Sequence, residues 1–244
     1  MAKTTPRLHV ETPLSEGAEF ALVQEQGHYL VHVLRQSSGD TVALFNGNDG
    51  EWLGYLTTIT KKSVHVRLEK RTADVQVPPD IEYLFAPLKH ARLDYMVQKA
   101  TELGARKLRP VITQRTIAER VNLDRMKANA VEAAEQCNLV FVPAVLEPLP
   151  LMKVLASWDP SRRLIYCDET ASVANPVEAL KNITPPAAVL VGPEGGFTLE
   201  ERQYLKSLPF VTAISLGPRI MRADTVAIAA LAVVQATIGD WSKK

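Results

Sequence analysis

The chain has 244 residues, 46% of them hydrophobic, and its 28 Lys+Arg nearly balance its 27 Asp+Glu, for a formal net charge of +1. That length and apolar content allow one large or two modest globular domains, and the balanced charge gives no global signal for a polyanionic partner. The two cysteines, Cys137 and Cys167, lie far apart and outside any CxxC spacing; neither a disulfide framework nor a zinc site is suggested, and no metal is expected.

From the start, Met1-Ala2-Lys3 lacks a following apolar h-region, and the longest apolar run, 226–234, is too short to span a bilayer. A soluble, cytoplasmic chain with no membrane partner is expected. Residues 1–74 read as a small β-rich domain. A helix-like piece at 28–35 precedes strand-like runs at 41–45, 51–60 and 64–68, the last with clean alternation, and Asn46-Gly47-Asn48-Asp49-Gly50 is a strong turn cluster between the first two. His28 and His32 are four apart and share a helix face, but with no further ligands nearby they read as surface or half-buried histidines.

Val77-Pro78-Pro79-Asp80 marks a linker over 75–80. Beyond it, in 81–244, strands and helices alternate, which predicts a mostly parallel α/β sheet. The strands are expected at 81–86, 108–112, 163–167, 187–191 and 211–216. The helices are expected at 91–103, 123–138, 151–157, 176–180, 199–207 and 226–238. These elements alone predict a doubly wound sheet without a knot. From Lys89 to Lys127 ten cations (Lys89, Arg92, Lys99, Arg106, Lys107, Arg109, Arg115, Arg120, Arg125, Lys127) outnumber four anions (Asp94, Glu102, Glu119, Asp124). Such a stretch either supplies phosphate contacts or is ordinary solvated helix surface.

Two later segments are the most informative. Val191-Gly192-Pro193-Glu194-Gly195-Gly196-Phe197 and Leu216-Gly217-Pro218-Arg219-Ile220-Met221-Arg222-Ala223-Asp224-Thr225 each follow an apolar strand-like run and lead into a helical pattern. Glycine-bearing loops at the same end of neighbouring strands are where an open α/β sheet binds a small molecule. Lacking Cβ, Gly192, Gly195 and Gly196 let the backbone take φ > 0 and approach a flat group. Thr198 through Glu201 reads as a capping box. Glu194, Glu200 and Glu201 crowd that helix start with negative charge, no Gly-Lys-Ser/Thr follows, and no GxGxxG is formed. A P-loop and a dinucleotide fingerprint are thereby disfavoured, which removes kinase and dehydrogenase readings. A neutral or cationic ligand fits better.

The two segments resemble the C-terminal signature of the SPOUT superfamily of S-adenosylmethionine-dependent RNA methyltransferases. More narrowly, they are similar to the branch that methylates N3 of a uridine in 16S ribosomal RNA of the small ribosomal subunit. The likeness extends over nearly the whole chain through Arg7, Val33-Leu34-Arg35 with Gly39-Asp40, Lys61-Lys62-Ser63-Val64, Gln98-Lys99-Ala100-Thr101-Glu102-Leu103-Gly104, Glu135-Gln136-Cys137, Val142-Pro143 and Gly239-Asp240. The resemblance implies a C-terminal SPOUT α/β domain with a deep trefoil knot and an N-terminal PUA-like small β-barrel that binds RNA. It also implies S-adenosyl-L-methionine as cofactor, ribosomal RNA as partner, and a homodimer formed across the last helix, whose Val226 to Val234 is apolar all round.

Carried over residue by residue, the resemblance places the cofactor at Leu190, Gly192, Pro193, Glu194, Gly195, Gly196, Leu216, Gly217, Ile220, Met221 and Thr225. It gives Arg222 and Asp224 catalytic roles, the arginine stabilising a developing uracil anion, and makes Arg7, Arg35, Lys61, Lys62, Arg92 and Lys99 RNA contacts. The chain departs from the family pattern in two places. Arg222-Ala223-Asp224-Thr225 stands where Arg-Thr-Glu-Thr is usual, and Leu139 and Phe141 stand where arginines are usual. These departures leave a second reading open, a catalytically silent RNA-binding or ribosome-assembly factor on the same fold. Cys137 invites comparison with enzymes that attack pyrimidine C6, but N3 methylation needs no such adduct, and a lone cysteine in a helical pattern is packing.

Overall fold

An apolar run before the Asn46–Gly50 turn, a mixed strand after it and an alternating one beyond give β3 (Thr41–Asn46), β4 (Gly50–Ile59) and β5 (Val64–Ala73), which pair antiparallel in sequence. The structure, a computed structural model, describes residues 5–89, 91–117, 120–171 and 175–242; Met1-Ala2-Lys3 and Glu119 of the basic stretch lie outside them. The chain divides into two compact units, Met1–Val77 with Ala134–Val142, and Pro78–Ala133 with Pro143–Lys244.

In the first unit, β1 (Arg7–His9) pairs parallel to β3 and β2 (Glu19–Ala21) pairs antiparallel to β5, giving the strand order β1-β3-β4-β5-β2. The turn works because Asn46 Oδ1 accepts the backbone N–H groups of Asn48 and Asp49 at 3.0 and 2.6 Å. Gly50 closes it with φ 87°, where a Cβ would meet the Ala73 carbonyl. One core gathers residues from all around this sheet: Leu8, Leu30, Leu44, Leu56, Val66 and Leu68 are fully or almost fully buried. The helical piece expected at 28–35 is two pieces, α1 (Gln24–His28) and a π-helical turn at Tyr29–Val33, after which Arg35 takes φ 55°. His28 and His32 stand with ring centroids 4.8 Å apart on exposed positions. Among the described residues, no group of three or more His, Cys, Asp and Glu side chains is arranged to hold a metal.

Residues 134–142 complete this unit and were not expected in it. Arg7 ties them down. Its Nη1 and Nη2 donate to the Ala134 and Leu139 carbonyls, both at 2.6 Å, its Nε pairs with Glu51, and its guanidinium lies 3.8 Å from the Phe45 ring centroid. With the side chain 10% exposed, and with Nε, Nη1 and Nη2 each bonded inside the unit, it presents little surface to an outside partner. This corrects the expectation that Arg7 contacts RNA phosphates. Leu139 packs with Phe45, Ala134 and Val140, so its departure from the usual arginine has a structural use.

The second unit is built on strands β6 (Ile81–Phe85), β7 (Lys107–Ile112), β8 (Ala144–Val145), β9 (Leu149–Pro150), β10 (Arg163–Cys167), β11 (Ala187–Val191) and β12 (Val211–Ile214). Their order is β12-β10-β11-β6-β7-β8, with β9 also on β7, and the pairs are parallel. Every residue of β6 and β11 is buried, as expected of central parallel strands covered on both faces. Glu82, buried in β6, is satisfied by Arg109 from β7; removing either partner of such a pair costs about 3–5 kcal/mol. The helices are α2 (Ala91–Glu102), α3 (Leu123–Gln136), α4 (Leu151–Ala156), α5 (Pro176–Leu180), α6 (Leu199–Ser207) and α7 (Ala223–Ile238). Helix α7 begins three residues earlier than its apolar pattern predicts and packs against α2, α5 and β11. Among the described residues no helix is long and apolar enough to cross a membrane.

Candidate active site

Because β12, β10 and β11 are parallel neighbours, their C-terminal ends deliver three loops to one place. A cavity of 740 Å³ opens there, lined from the β11 loop by Val191 to Phe197, from the β12 loop by Ser215 to Gly217 and Arg219 to Ala223, and from β10 by Cys167, Asp168 and Glu169. Its volume is within the range of small-molecule sites, about 300–1,000 Å³. The third loop was missed in the sequence. Its signal was an apolar strand ending in Asp168-Glu169, which by itself does not distinguish a site from a polar strand end.

Each loop is held by identifiable contacts. Gly192 sits against the buried Phe197 ring, which a Cβ would approach to 2.5 Å. Phe197 in turn meets Tyr166 edge-on at 5.2 Å. Of the three glycines in the β11 loop, Gly196 alone takes positive φ, at 67°, and Gly217 does so in the β12 loop at 107°. The expectation of φ > 0 at Gly192, Gly195 and Gly196 therefore narrows to Gly196. The capping box forms as read: Glu201 N donates to Thr198 Oγ1 at 3.2 Å and Thr198 N donates to Glu201 Oε2 at 2.9 Å. Glu201 Oε1 also accepts from Gln114 N, and Arg115 Nη1 donates to the Gly195 carbonyl at 2.8 Å. The segment after β7 thus braces the glycine loop, a contact across 80 residues that local sequence reading does not reveal.

Charge is paired around the rim. On one side the buried Asp168 has Lys206 Nζ 2.6 Å from Oδ2 and accepts Thr170 N and Oγ1, while Glu169 accepts from Arg202 Nη2 at 2.5 Å. Burial opposes the Asp168 charge, but the lysine and threonine donors outweigh it and hold the carboxyl below the ordinary range. On the other side Arg92 bonds both Asp224 and Glu194. The hydrogen bonds from Arg92, against some desolvation, hold the Asp224 carboxyl low.

Of the residues expected at the cofactor, Gly192, Pro193, Glu194, Gly195, Gly196, Leu216, Gly217, Ile220 and Met221 line the cavity. Leu190 does not: it is fully buried in the core with Leu84, Tyr166 and Ala188, because strand alternation turns it from the loop. Thr225 is exposed and also off the wall. Of the expected catalytic pair, Arg222 lines the cavity and caps α7, whereas Asp224 is not part of the wall. Of the expected RNA contacts, Lys61 and Lys62 are exposed on the β4–β5 hairpin, whose turn is fixed by Thr60 Oγ1 accepting Lys62 N and Ser63 N. Arg35 is exposed in the same unit. Lys99 pairs with Glu102 at 2.7 Å, and Arg92 belongs to the cavity rim. Carboxylates from elsewhere in the fold, Glu82, Glu194 and Asp224, take up part of the basic stretch.

A parallel α/β unit with a cavity among three strand-end loops, in one chain with a small β-rich unit, has the architecture of a small-molecule-binding domain joined to a second domain. The family models agree. Residues 76–235 match an RNA methyltransferase domain and residues 24–69 match an RNA methyltransferase PUA domain. Ribosomal RNA small subunit methyltransferase E of Rickettsia conorii is 30% identical over 232 residues, 94% of each chain, and that of Bacillus subtilis is 29% identical over 237 residues, 91% of each. The crystal structure of the Neisseria gonorrhoeae ribosomal RNA small subunit methyltransferase E bound to S-adenosyl methionine superposes with a TM-score of 0.86 at 27% identity, covering 98% of this chain and all of that one. The chain is an RNA methyltransferase with a PUA domain. It belongs to the ribosomal RNA small subunit methyltransferase E family.

Proposed function

We propose that this chain methylates N3 of a specific uridine in 16S ribosomal RNA, with S-adenosylmethionine as donor. The observation that carries the reading is the cavity at the ends of β10, β11 and β12, in a chain of this family. The wall fits the cofactor. It is large enough for a nucleoside, Gly195 and Gly217 leave it free of side chain, and it offers backbone groups beside the apolar Ile220 and Met221. Gly192, Pro193, Glu194, Gly195, Gly196, Leu216, Gly217, Ile220 and Met221 would hold the donor. When bound, it would supply a methyl group from a sulfonium sulfur that keeps the bonding electron pair, while uracil N3 releases its proton to solvent and gains the methyl.

The chain's own part is to hold both reactants in line, exclude water and stabilise charge on the ring. Arg222, exposed at the cavity lip as the N-cap of α7, is assigned to the uracil anion. We assign residues 1–74 to RNA binding, 75–80 to a linker and 81–244 to cofactor and chemistry, with Arg35, Lys61 and Lys62 as phosphate contacts. We assign a deep trefoil knot to the second domain on its resemblance to the SPOUT family. A homodimer across α7 is supported by the half-exposed Ala229, Ala232 and Val233 on its outer face. A ribosomal substrate supports action in the cytoplasm.

The test is direct: S-adenosylmethionine affinity by calorimetry, then methyl transfer to small-subunit RNA with analysis of the modified nucleoside. Expected are binding and a single N3-methyluridine. Cofactor binding with no transfer to free RNA or assembled subunits would favour the silent assembly factor instead.

A further inference from the structure

Arg92, at the start of α2, and Asp224, in the first turn of α7, lie 132 positions apart and meet in a two-point pair. Arg92 Nε donates to Oδ2 at 2.9 Å and Nη2 donates to Oδ1 at 3.2 Å. The third edge is also used, Nη1 donating to Glu194 Oε1 at 2.9 Å. The pair is divided unevenly with respect to the cavity. Arg92 forms part of the wall, as do Glu194 and Arg222, and Asp224 does not.

This geometry bears on which group does chemistry. Both Asp224 oxygens are occupied by the guanidinium fork, and Oδ1 also accepts Thr225 N at 3.0 Å. A carboxylate so held is a weak base, consistent with its depressed titration, and it does not itself line the cavity. The guanidinium has five N–H donors in a rigid plane. Three serve the two carboxylates, which leaves two N–H groups on the residue that does reach the cavity.

Building on the function proposed above, we propose that Asp224 is a positioning residue that acts through Arg92, and that Arg92 joins Arg222 in stabilising the negative charge that gathers on the uracil oxygens as N3 loses its proton. The shorter aspartate, where the family usually has glutamate, then needs only to reach Arg92. Glu194 links the same guanidinium to the loop that bounds the cofactor side of the cavity, so Arg92 aligns the two walls. A lysine at this position would keep the charge and lose the planar fork.

Single-turnover methyl transfer to 16S ribosomal RNA tests this with Arg92→Ala, Arg92→Lys, Asp224→Asn and the Arg92→Ala/Asp224→Asn double variant, each checked by its melting curve. Removing one preorganised donor to a developing anion lowers rates by about 100- to 1,000-fold, so Arg92→Ala should fall by about 100-fold and Arg92→Lys nearly as far. Asp224→Asn should lose about tenfold. The double variant should be no slower than Arg92→Ala alone, because the two act as one unit. Affinity for S-adenosylhomocysteine should fall far less than the transfer rate, by about tenfold at most, and the salt slope of RNA binding should not change. Multiplying losses in the double variant, or an inactive Asp224→Asn beside a nearly normal Arg92→Ala, would overturn the assignment. So would a salt slope reduced by about one in Arg92→Ala, the mark of a phosphate contact. If the unmodified chain transfers no methyl group to this RNA, the underlying reading falls and this one with it.

Discussion

At the scale of single residues, two of the three glycines of the β11 loop, Gly192 and Gly195, differ in what surrounds them. A Cβ on Gly192 would lie 2.5 Å from the ring of Phe197, itself buried in the core. Gly192→Ala must therefore displace that ring, and overpacking of this kind costs about 1–3 kcal/mol. A Cβ on Gly195 meets only Arg115 side-chain carbons at 3.6 Å, an ordinary contact. Gly195→Val should fold with a melting temperature close to the parent and lose S-adenosylhomocysteine binding, because a branched side chain there presses on Arg115, which braces this loop of the cavity wall. Undiminished affinity by calorimetry would remove Gly195 from the cofactor cradle. The two cysteines diverge in the same way. Burial pushes the Cys167 thiol up to about 12, so at pH 8 it is neutral and a poor nucleophile, while Cys137 is exposed. Titration with a thiol reagent should count one fast cysteine in the folded chain and two after denaturation; two fast thiols would contradict the burial of Cys167.

At the scale of elements, the hairpin and the last helix carry the assigned division of labour. Replacing Lys61 and Lys62 with alanine should weaken RNA binding and flatten its salt dependence by up to about two counterions' worth of slope, leaving S-adenosylhomocysteine affinity alone; unchanged RNA affinity would end their assignment. On α7, one face is buried through Ala227, Ala230, Leu231 and Val234, and Ala229 and Val233 lie half-exposed on the other. Ala229→Asp should dissociate a dimer seen by sedimentation, and a folded monomer in the unmodified protein would refute that contact. These elements also mark what a sequence makes visible. Strands β10 and β11 and helices α5 and α6 have the bounds expected from their apolar runs and their Pro, Gly and Thr punctuation, because those signals are local. Strands β1, β2, β8 and β9 are two or three residues long and exist through partners far along the chain, as Arg7 beside Ala43, so no local period announces them. The first turn of α7 hides in Ala223-Asp224-Thr225, whose polarity breaks the apolar pattern. In the site, the glycine loops were legible from composition, whereas the Asp168-Glu169 loop, the Arg115 brace and the Arg92–Asp224 pair depend on tertiary contacts. Arg7 was misread for the same reason: an arginine's charge is in the sequence, and its burial is not.

At the scale of the whole molecule, several depressed titrations determine how stability should respond to acid. Hydrogen bonds from Asn46 and Leu14 hold Asp49 low in the first unit, and Arg162 and Arg92 do the same for Asp80 and Asp224 in the second. For each, the folded value lies below the unfolded one, near 3.9. Their contribution is therefore fully present above the ordinary carboxylate range and is lost as pH falls through the lowered folded values. His9 behaves differently. Burial lowers its titration despite the opposing charge of Glu11, and its ring stands edge-on to Phe45 at 5.4 Å. The unfolded chain takes up this proton near pH 6.5 while the folded chain resists it, so stability begins to fall there, well before the carboxylates act. A series of melting curves from pH 8 to pH 3 should show a shallow decline starting near 6.5 and a steeper one below about 4. In a chain of this size each kcal/mol lost lowers Tm by about 2–4 °C. His9→Phe keeps an aromatic ring against Phe45 and has no proton to bind, so it should flatten the upper decline and leave the lower one in place. A parent protein with constant Tm between pH 7 and pH 5, or a His9→Phe variant that retains the same upper slope, would show that the protonation of His9 is not what the fold resists.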